Sequence, residues 1–138
     1  MKKKKWIIVI YILCFVLAVI VGFRIQTGVK SKKIIADLEV SNIDRVHFSF
    51  YSGGITGSYE EDLSTEQTEK LVELMKKVRF GGRVSEEKAA TSGASSCYII
   101  YMKDGTKLTL DPGRFFKINH TYYEFENFDE LWDEFIAL

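Results

Sequence analysis

The sequence has few of the residues that build disulfides and metal sites. Among its 138 residues are two cysteines, two histidines and one proline. Cys14 lies in a long apolar run and Cys97 in a more polar part of the chain, so the two thiols are not expected to meet. No Cys-x-x-Cys spacing indicates a zinc site. A disulfide framework is therefore excluded, and the folded part must be stabilised by packing, which about 100 residues can achieve.

Recognisable patterns of catalytic residues are also lacking. Neither His47 nor His120 has Asp, Glu or Cys at the spacing of a metal site. No serine stands in a Gly-x-Ser-x-Gly context, and no glycine-rich loop precedes a helix in a phosphate-binding pattern. From these absences we expect a protein that is not an enzyme and that uses no metal and no cofactor.

The amino-terminal part of the chain lacks acidic residues, and the rest of the chain has a net negative charge. Residues 1–36 carry eight Lys or Arg and no acid, whereas residues 37–138 carry eleven Lys or Arg and all nineteen Asp and Glu, a net charge of −8. An acidic domain lacks the basic face that nucleic acid requires, so nucleic-acid binding is not expected. The same charge favours a basic protein partner.

The strongest positive feature is an apolar run behind a basic start. Lys2–Lys5 is followed by eighteen uncharged residues, Trp6–Phe23, of which thirteen are Ile, Val, Leu or Phe. As a helix this run would be roughly 27 Å long, close to the ~30 Å hydrocarbon core of a bilayer. We therefore predict a basic cytoplasmic tail at 1–5 and a transmembrane helix at 6–23.

A cleaved signal peptide and a lipoprotein signal are the alternatives to an uncleaved membrane anchor. A signal peptide has the same basic and then apolar pattern, but this run is long for one and no Ala-x-Ala site follows it. A lipoprotein signal needs a small residue before its cysteine, and Leu13 precedes Cys14. An uncleaved anchor is favoured, and a signal peptide stays the alternative.

The charges beside the apolar run predict its orientation. Four basic residues lie on each side, but those on the amino side crowd against the helix, while only Arg24 does so on the far side. The positive-inside rule then predicts a cytoplasmic amino terminus and a domain outside the cell membrane. The residues that carry this prediction are Lys2, Lys3, Lys4, Lys5, Trp6, Phe23 and Arg24. Residues 24–36 are interpreted as a basic stalk, either flexible or interfacial, and residues 37–138 as the folded domain.

The first half of that domain predicts a hairpin followed by a helix. Residues 45–51 alternate between apolar and polar side chains, as in a half-buried strand. Ser52–Gly54 is expected to form the turn and residues 55–60 the returning strand. Ser64–Gln67 is a capping box that opens a helix, and Gly81–Gly82 is expected to end it.

The second half predicts two more hairpins and a final helix. Residues 85–96 are small and polar and are expected to form a mobile loop before strands at 97–102 and 107–110. Strands at 115–118 and 121–125 flank Asn119 and His120, a two-residue turn. The last helix shows a helical apolar stripe after a cap pattern at Asn127–Glu130. The stripe consists of Phe128, Leu131, Trp132, Phe135 and Ile136.

Together these elements predict an α+β fold: an amino-terminal transmembrane helix, then a small antiparallel sheet of about five to seven strands with two helices on one face. The other face would be free for binding. On it we place Arg45, His47 and Tyr51 from the polar side of the first strand, with Tyr101 as a neighbour. The facing of residues 97–102 stays open, because both sides of that strand carry large apolar or aromatic residues.

The layout of anchor, stalk and strand-rich domain resembles the small single-span surface proteins of unknown function in Gram-positive bacteria. Some of these are immunity proteins against secreted toxins. The resemblance implies a membrane-anchored extracytoplasmic protein-interaction module, such as an immunity-like inhibitor or an accessory subunit. The alternatives are a membrane-proximal sensor of a small ligand or cell-wall fragment, and a hydrolase whose site is assembled from distant residues such as His47.

Overall fold

The α+β class predicted from the sequence is confirmed by a computed structural model that describes residues 2–51, 57–90 and 95–138. A long helix leads into a seven-stranded antiparallel sheet with helices packed against it. The elements are α1 (Lys2–Ala36), a 3-10 turn (Val40–Asn42), β1 (Ile43–Tyr51), β2 (Ser58–Asp62), α2 (Thr65–Lys77), β3 (Phe80–Val84), α3 (Glu86–Ala89), β4 (Ser95–Met102), β5 (Lys107–Asp111), β6 (Phe115–Ile118), β7 (Thr121–Phe125) and α4 (Phe128–Ile136).

Helix α1 is unbroken for 35 residues. Its segment Lys4–Phe23 has a mean hydropathy of 3.0, none of it is buried against the rest of the chain, and it is long and apolar enough to cross a membrane. Trp6 and Phe23, at the two ends of the predicted span, are both exposed. The helix begins at Lys2, so the basic residues 2–5 are helical and continuous with the apolar segment.

The last turns of α1 belong to the folded domain. Ile35 and, just beyond the helix, Leu38 are buried in the hydrophobic core. The Lys32 ammonium donates hydrogen bonds to the carbonyls of Phe80 and Gly81, at 3.3 and 2.8 Å. The core therefore begins before residue 37, where the sequence placed the domain boundary.

Of the two forms predicted for the stalk, the flexible one is wrong for the backbone of residues 24–36, which is helical throughout, and the interfacial one stays a prediction. The segment has one glycine and no proline, and a single glycine costs a helix only about 1 kcal/mol. Burial of Ile35 against the sheet offsets that cost, so the helix continues from the apolar segment into the domain.

The strand order is β2-β1-β4-β5-β6-β7-β3, with every neighbouring pair antiparallel. In the first hairpin Phe50 pairs with Tyr59, and on the other side of β1 Val46 pairs with Ile100. The hairpin is confirmed, although its return strand runs from Ser58 to Asp62. The turn predicted at 52–54 lies outside the described residues.

The edge strand β3 was not predicted. Helix α2 starts at the predicted capping box, but it ends at Lys77, and Phe80–Val84 then pairs with β7. A β-carbon on Gly81 would lie 2.8 Å from a carboxylate oxygen of Glu124. Gly81 is therefore needed for a close approach between strands and does not serve as a helix terminator.

The predicted mobile loop at 85–96 is wrong where the structure describes it. Ser85 accepts a hydrogen bond from the Lys88 amide at 3.3 Å and so caps the short helix α3, and Ala89 is buried. Strand β4 begins at Ser95. Residues 91–94 of the predicted loop lie outside the described residues.

The turn at Asn119–His120 and the final helix are confirmed. Asn119 has φ of 53°, a conformation that asparagine tolerates, and Ile118 pairs directly with Thr121. Asn127 precedes α4, but its side chain does not cap that helix. It accepts from the Arg79 amide at 2.8 Å and donates to the Lys77 carbonyl at 3.0 Å, joining α4 to the end of α2.

One core lies between the sheet and the helices α2 and α4, with the end of α1 as a third helical element. The Lys32 ammonium lies 5.5 Å from the ring centre of Tyr123, a fully buried core residue. Tyr98 is buried in the same core, and its hydroxyl donates to the Phe135 carbonyl at 3.3 Å. Burial raises the pKa of Tyr98 to about 12.

Candidate functional site

The face of the sheet opposite the helices, the open face, carries the predicted binding residues. Arg45, His47 and Tyr51 alternate with the core residues of β1, and Tyr101 is the β4 partner of Arg45 in the register. The orientation of β4, left open by the sequence, follows from Tyr98 and Ile100, which are buried. Tyr101 therefore lies on the open face.

Three of the four predicted residues form a cluster through an aromatic ring and a carboxylate. The Arg45 guanidinium carbon lies 3.8 Å from the ring centre of Tyr101, and the Lys107 ammonium lies 5.0 Å from the same ring. Such cation–π contacts stabilise an exposed pair by about 0.5–1 kcal/mol. The ring is thus already engaged by two cations.

Asp62 of β2, which was not predicted as a site residue, joins the cluster. Its Oδ1 lies 2.9 Å from His47 Nδ1 and 3.6 Å from an Arg45 guanidinium nitrogen. Glu60 lies 3.9 Å from His47 Nε2. Arg45, His47, Glu60 and Asp62 therefore contact one another in a solvated cluster of polar side chains.

Tyr51 is on the same face but outside this cluster. It lies four residues beyond His47 on β1, roughly 13 Å along the strand. Its side chain is 60% exposed. The four predicted residues thus share a face, but only Arg45, His47 and Tyr101 are brought together.

Cys97 is half-buried on the open face, opposite Ser49 in the register. Burial, reinforced by a hydrogen bond to the Asp111 carboxylate, raises the pKa of the Cys97 thiol to about 12. A thiol with that pKa is protonated at neutral pH, and the thiolate is the nucleophilic form. Within residues 2–51, 57–90 and 95–138, His, Cys, Asp and Glu form no group of three or more that could hold a metal ion.

The surface that sequence reasoning missed is on the helix side, where the β1–β2 hairpin extends past α4. An apolar groove of 590 Å³ opens there. Its floor comes from the hairpin and its wall from α4; the residues are Phe48, Phe50 and Tyr59 on the floor, and Trp132, Phe135 and Ile136 on the wall. Glu61 is the one charged residue among the described residues that line it.

The groove is open because no helix among the described residues covers this end of the sheet. Phe48 is partly buried against Tyr98, with ring centres 4.9 Å apart. Phe50, predicted to face the core, is 36% exposed, Tyr59 is 53% exposed and Ile136 is 64% exposed. The apolar alternation of β1 and the stripe of α4 signal these residues in the sequence, but whether something covers them depends on tertiary packing.

The groove and the end of α1 lie at opposite ends of the strands. Ser96 at the start of β4 lines the groove, whereas Met102 at its end lines a concave surface beside Ile34 and Leu38. Six residues of strand separate the two, about 20 Å. Apolar side chains are therefore left open at the end of the domain farthest from α1.

Compared with known proteins, the chain matches no family model, no curated protein and no solved structure. Its function has to be inferred from its own residues. The resemblance in layout to single-span surface proteins of Gram-positive bacteria stays a prediction, and so does the expectation that the protein is not an enzyme.

Proposed function

We propose that the protein is a membrane-anchored interaction module that holds an acidic α+β domain outside the cell membrane. The observation that carries this function is α1, whose segment Lys4–Phe23 is apolar and wholly unburied while its last turn is part of the core. A continuous apolar surface of that size requires a covering, and a bilayer supplies one for an uninterrupted helix.

With α1 in the membrane, the helix would also set the distance between the bilayer and the domain. Nine residues separate Phe23 from Lys32, which contacts β3, so the base of the domain would stand roughly 14 Å beyond the apolar segment. Because the connection is helical and not a flexible tether, the domain would keep one orientation to the bilayer. Such an arrangement suits a protein that presents one surface to a partner at the membrane.

An interaction function follows from the surface chemistry of the domain. Residues 37–138 have a net charge of −8, and the half-buried Cys97 thiol is protonated at neutral pH. On the open face Arg45 and His47 contact the Asp62 carboxylate, while apolar side chains of the groove stay partly exposed. We therefore favour a basic protein partner, with an immunity-like inhibitor or an accessory subunit as the role.

Orientation is tested by cysteine labelling in intact cells. Cys14 and Cys97 are replaced by alanine and Glu73, exposed on α2, by cysteine. A membrane-impermeant maleimide should label Glu73→Cys without lysis. The same cells after lysis control for reactivity, and labelling only after lysis would place the domain in the cytoplasm and overturn the proposed location.

A second candidate function, sensing of a small apolar ligand, is favoured by the size of the groove. Its 590 Å³ falls in the range of small-molecule sites, about 300–1,000 Å³, and aromatic residues dominate its lining. A ligand that binds only the folded state raises the melting temperature as its concentration rises. A thermal-shift screen of cell-wall fragments and apolar small molecules, repeated on Ile136→Lys, tests this candidate.

A further inference from the structure

We propose that the groove between the β1–β2 hairpin and α4 is the docking site for a basic amphipathic segment of another protein. The apolar side chains of that segment would enter the groove, and its Lys or Arg side chains would lie against acids at the rim. This proposal specifies which part of the basic protein partner binds and where it binds, and it rests on the proposed interaction function.

The apolar half of this complementarity is already exposed. Tyr59 and Phe50 on the hairpin face Trp132 and Ile136 on α4, with the partly buried Phe48 between them. Aromatic residues in a concave apolar surface are the side chains that most often dominate binding energy at protein interfaces. A segment with Leu, Ile or Phe on one face would bury them.

The acidic half comes from the helical geometry of α4. Residues three or four apart are neighbours on a helix surface, so Asp129 adjoins Trp132, and Asp133 adjoins Ile136. Both aspartates are exposed. Glu61 lines the groove on the hairpin side, where its carboxylate accepts a hydrogen bond from the Tyr59 hydroxyl at 2.5 Å, and the helical spacing puts the two aspartates beside the lining on the α4 side.

The acids on the other side of α4 differ in having cations. Glu130 lies 3.0 Å from Arg79, and Glu134 lies 3.7 Å from Lys77. Among the described residues, no Lys or Arg lies within 4.0 Å of the carboxylates of Asp129 or Asp133. The negative charge of α4 is thus compensated on the α2 side and uncompensated beside the groove, which favours a positively charged partner.

Other occupants fit less well. A second copy of the chain would bring Glu61, Asp129 and Asp133 against like charges. A membrane surface is disfavoured because the groove lies about 20 Å along the strands from the α1 contact, and its acids would repel anionic headgroups. β2 is the edge strand, so the groove is open along one side and suits an elongated segment better than an enclosed small molecule.

A random twelve-residue peptide library, displayed on phage and selected against the full chain in nanodiscs of zwitterionic lipid, tests the assignment. Selected peptides should combine Lys or Arg with large apolar residues. Ile136→Lys should weaken their binding at least about tenfold, because it places a charge at the centre of the contact. Asp129→Asn with Asp133→Asn should weaken it about threefold at low salt and reduce its salt dependence.

Tyr51→Lys is the matched control, since Tyr51 is 60% exposed on the open face and Ile136 is 64% exposed in the groove. It should change binding by less than about twofold, as expected for a residue outside the contact. Three results would each overturn the proposal. The selected peptides could lack net positive charge, or none of them could depend on Ile136. The chain could also self-associate in a way that Ile136→Lys abolishes. Binding lost in Tyr51→Lys alone would keep an interaction function but move it to the open face. If the Glu73→Cys labelling placed the domain in the cytoplasm, the proposed location would be overturned, but the result of the peptide selection would stand.

Discussion

The two faces of the β1–β2 hairpin differ in the contacts that their exposed side chains make within the domain. On the open face Arg45 and His47 are held by Asp62, and the Tyr101 ring is held by Arg45. On the groove face Phe50 and Tyr59 are 36% and 53% exposed, and the Tyr59 hydroxyl donates a hydrogen bond to the Glu61 carboxylate at 2.5 Å. Polarity alone therefore does not mark an available surface, because polar groups can satisfy one another, whereas the apolar side chains of the groove keep part of their surface exposed.

The largest expected loss of stability distinguishes a substitution in the packed core of the helix side from one in the groove. Phe116→Ala removes a fully buried ring that contacts Phe125 and Phe135, and should cost about 3–5 kcal/mol of unfolding free energy. Phe50→Ala removes a partly exposed ring from the floor of the groove and should cost about 1 kcal/mol or less. Urea unfolding of the full chain in detergent measures both. Equal losses would mean that Phe50 is a core residue and that the groove is closed in solution.

A second effect concerns the thiol on the open face. Raising the pKa of Cys97 from 9.0 to about 12 lowers its thiolate fraction at pH 8, so alkylation should be roughly 1,000-fold slower than for an unperturbed thiol. The alkylation rate should rise with pH up to about 12. A cysteine placed at Tyr51, with Cys14 and Cys97 replaced, is the reference. Comparable rates at pH 8 would show that Cys97 is not engaged as described.

The smallest effect tests the ion-pair cluster itself. Asp62→Ala removes the carboxylate shared by Arg45 and His47, but the Asp62 side chain is 56% exposed and water screens the pairs. The expected loss of unfolding free energy is about 1 kcal/mol or less, and it should shrink at high salt. Thermal unfolding at two salt concentrations measures it, and peptide binding in the groove should not change. A loss of peptide binding would instead make the open face part of the interaction surface.

The parts of the fold that the sequence predicts are those specified by local chemistry. The capping box at Ser64 fixes the start of α2, because its side chain accepts from the Gln67 amide while Gln67 accepts from the Ser64 amide. The positive φ of Asn119 fixes the last hairpin. Both signals need only a few consecutive residues to act.

The parts that were missed depend on distant contacts. Gly81–Gly82 is typical of a helix end, and only pairing with the distant strand β7 shows that these glycines lie in a strand. The helical path through residues 24–36 depends on burial of Ile35 in a core formed by later elements. The alternation of β1 predicts that Arg45 and His47 share a face, but the facing of Tyr101 and the position of the groove depend on tertiary packing, including where α4 ends relative to the hairpin.

The most direct test compares two single cysteines in the native cells, Ile136→Cys in the groove and Tyr51→Cys on the open face, with Cys14 and Cys97 replaced. An impermeant maleimide should label Tyr51→Cys in intact cells as fast as in the purified protein. Ile136→Cys should be labelled several-fold more slowly in cells than when purified, because a partner covers the groove. Labelling of both at their purified rates, or of neither before lysis, would contradict an external module that binds through this groove.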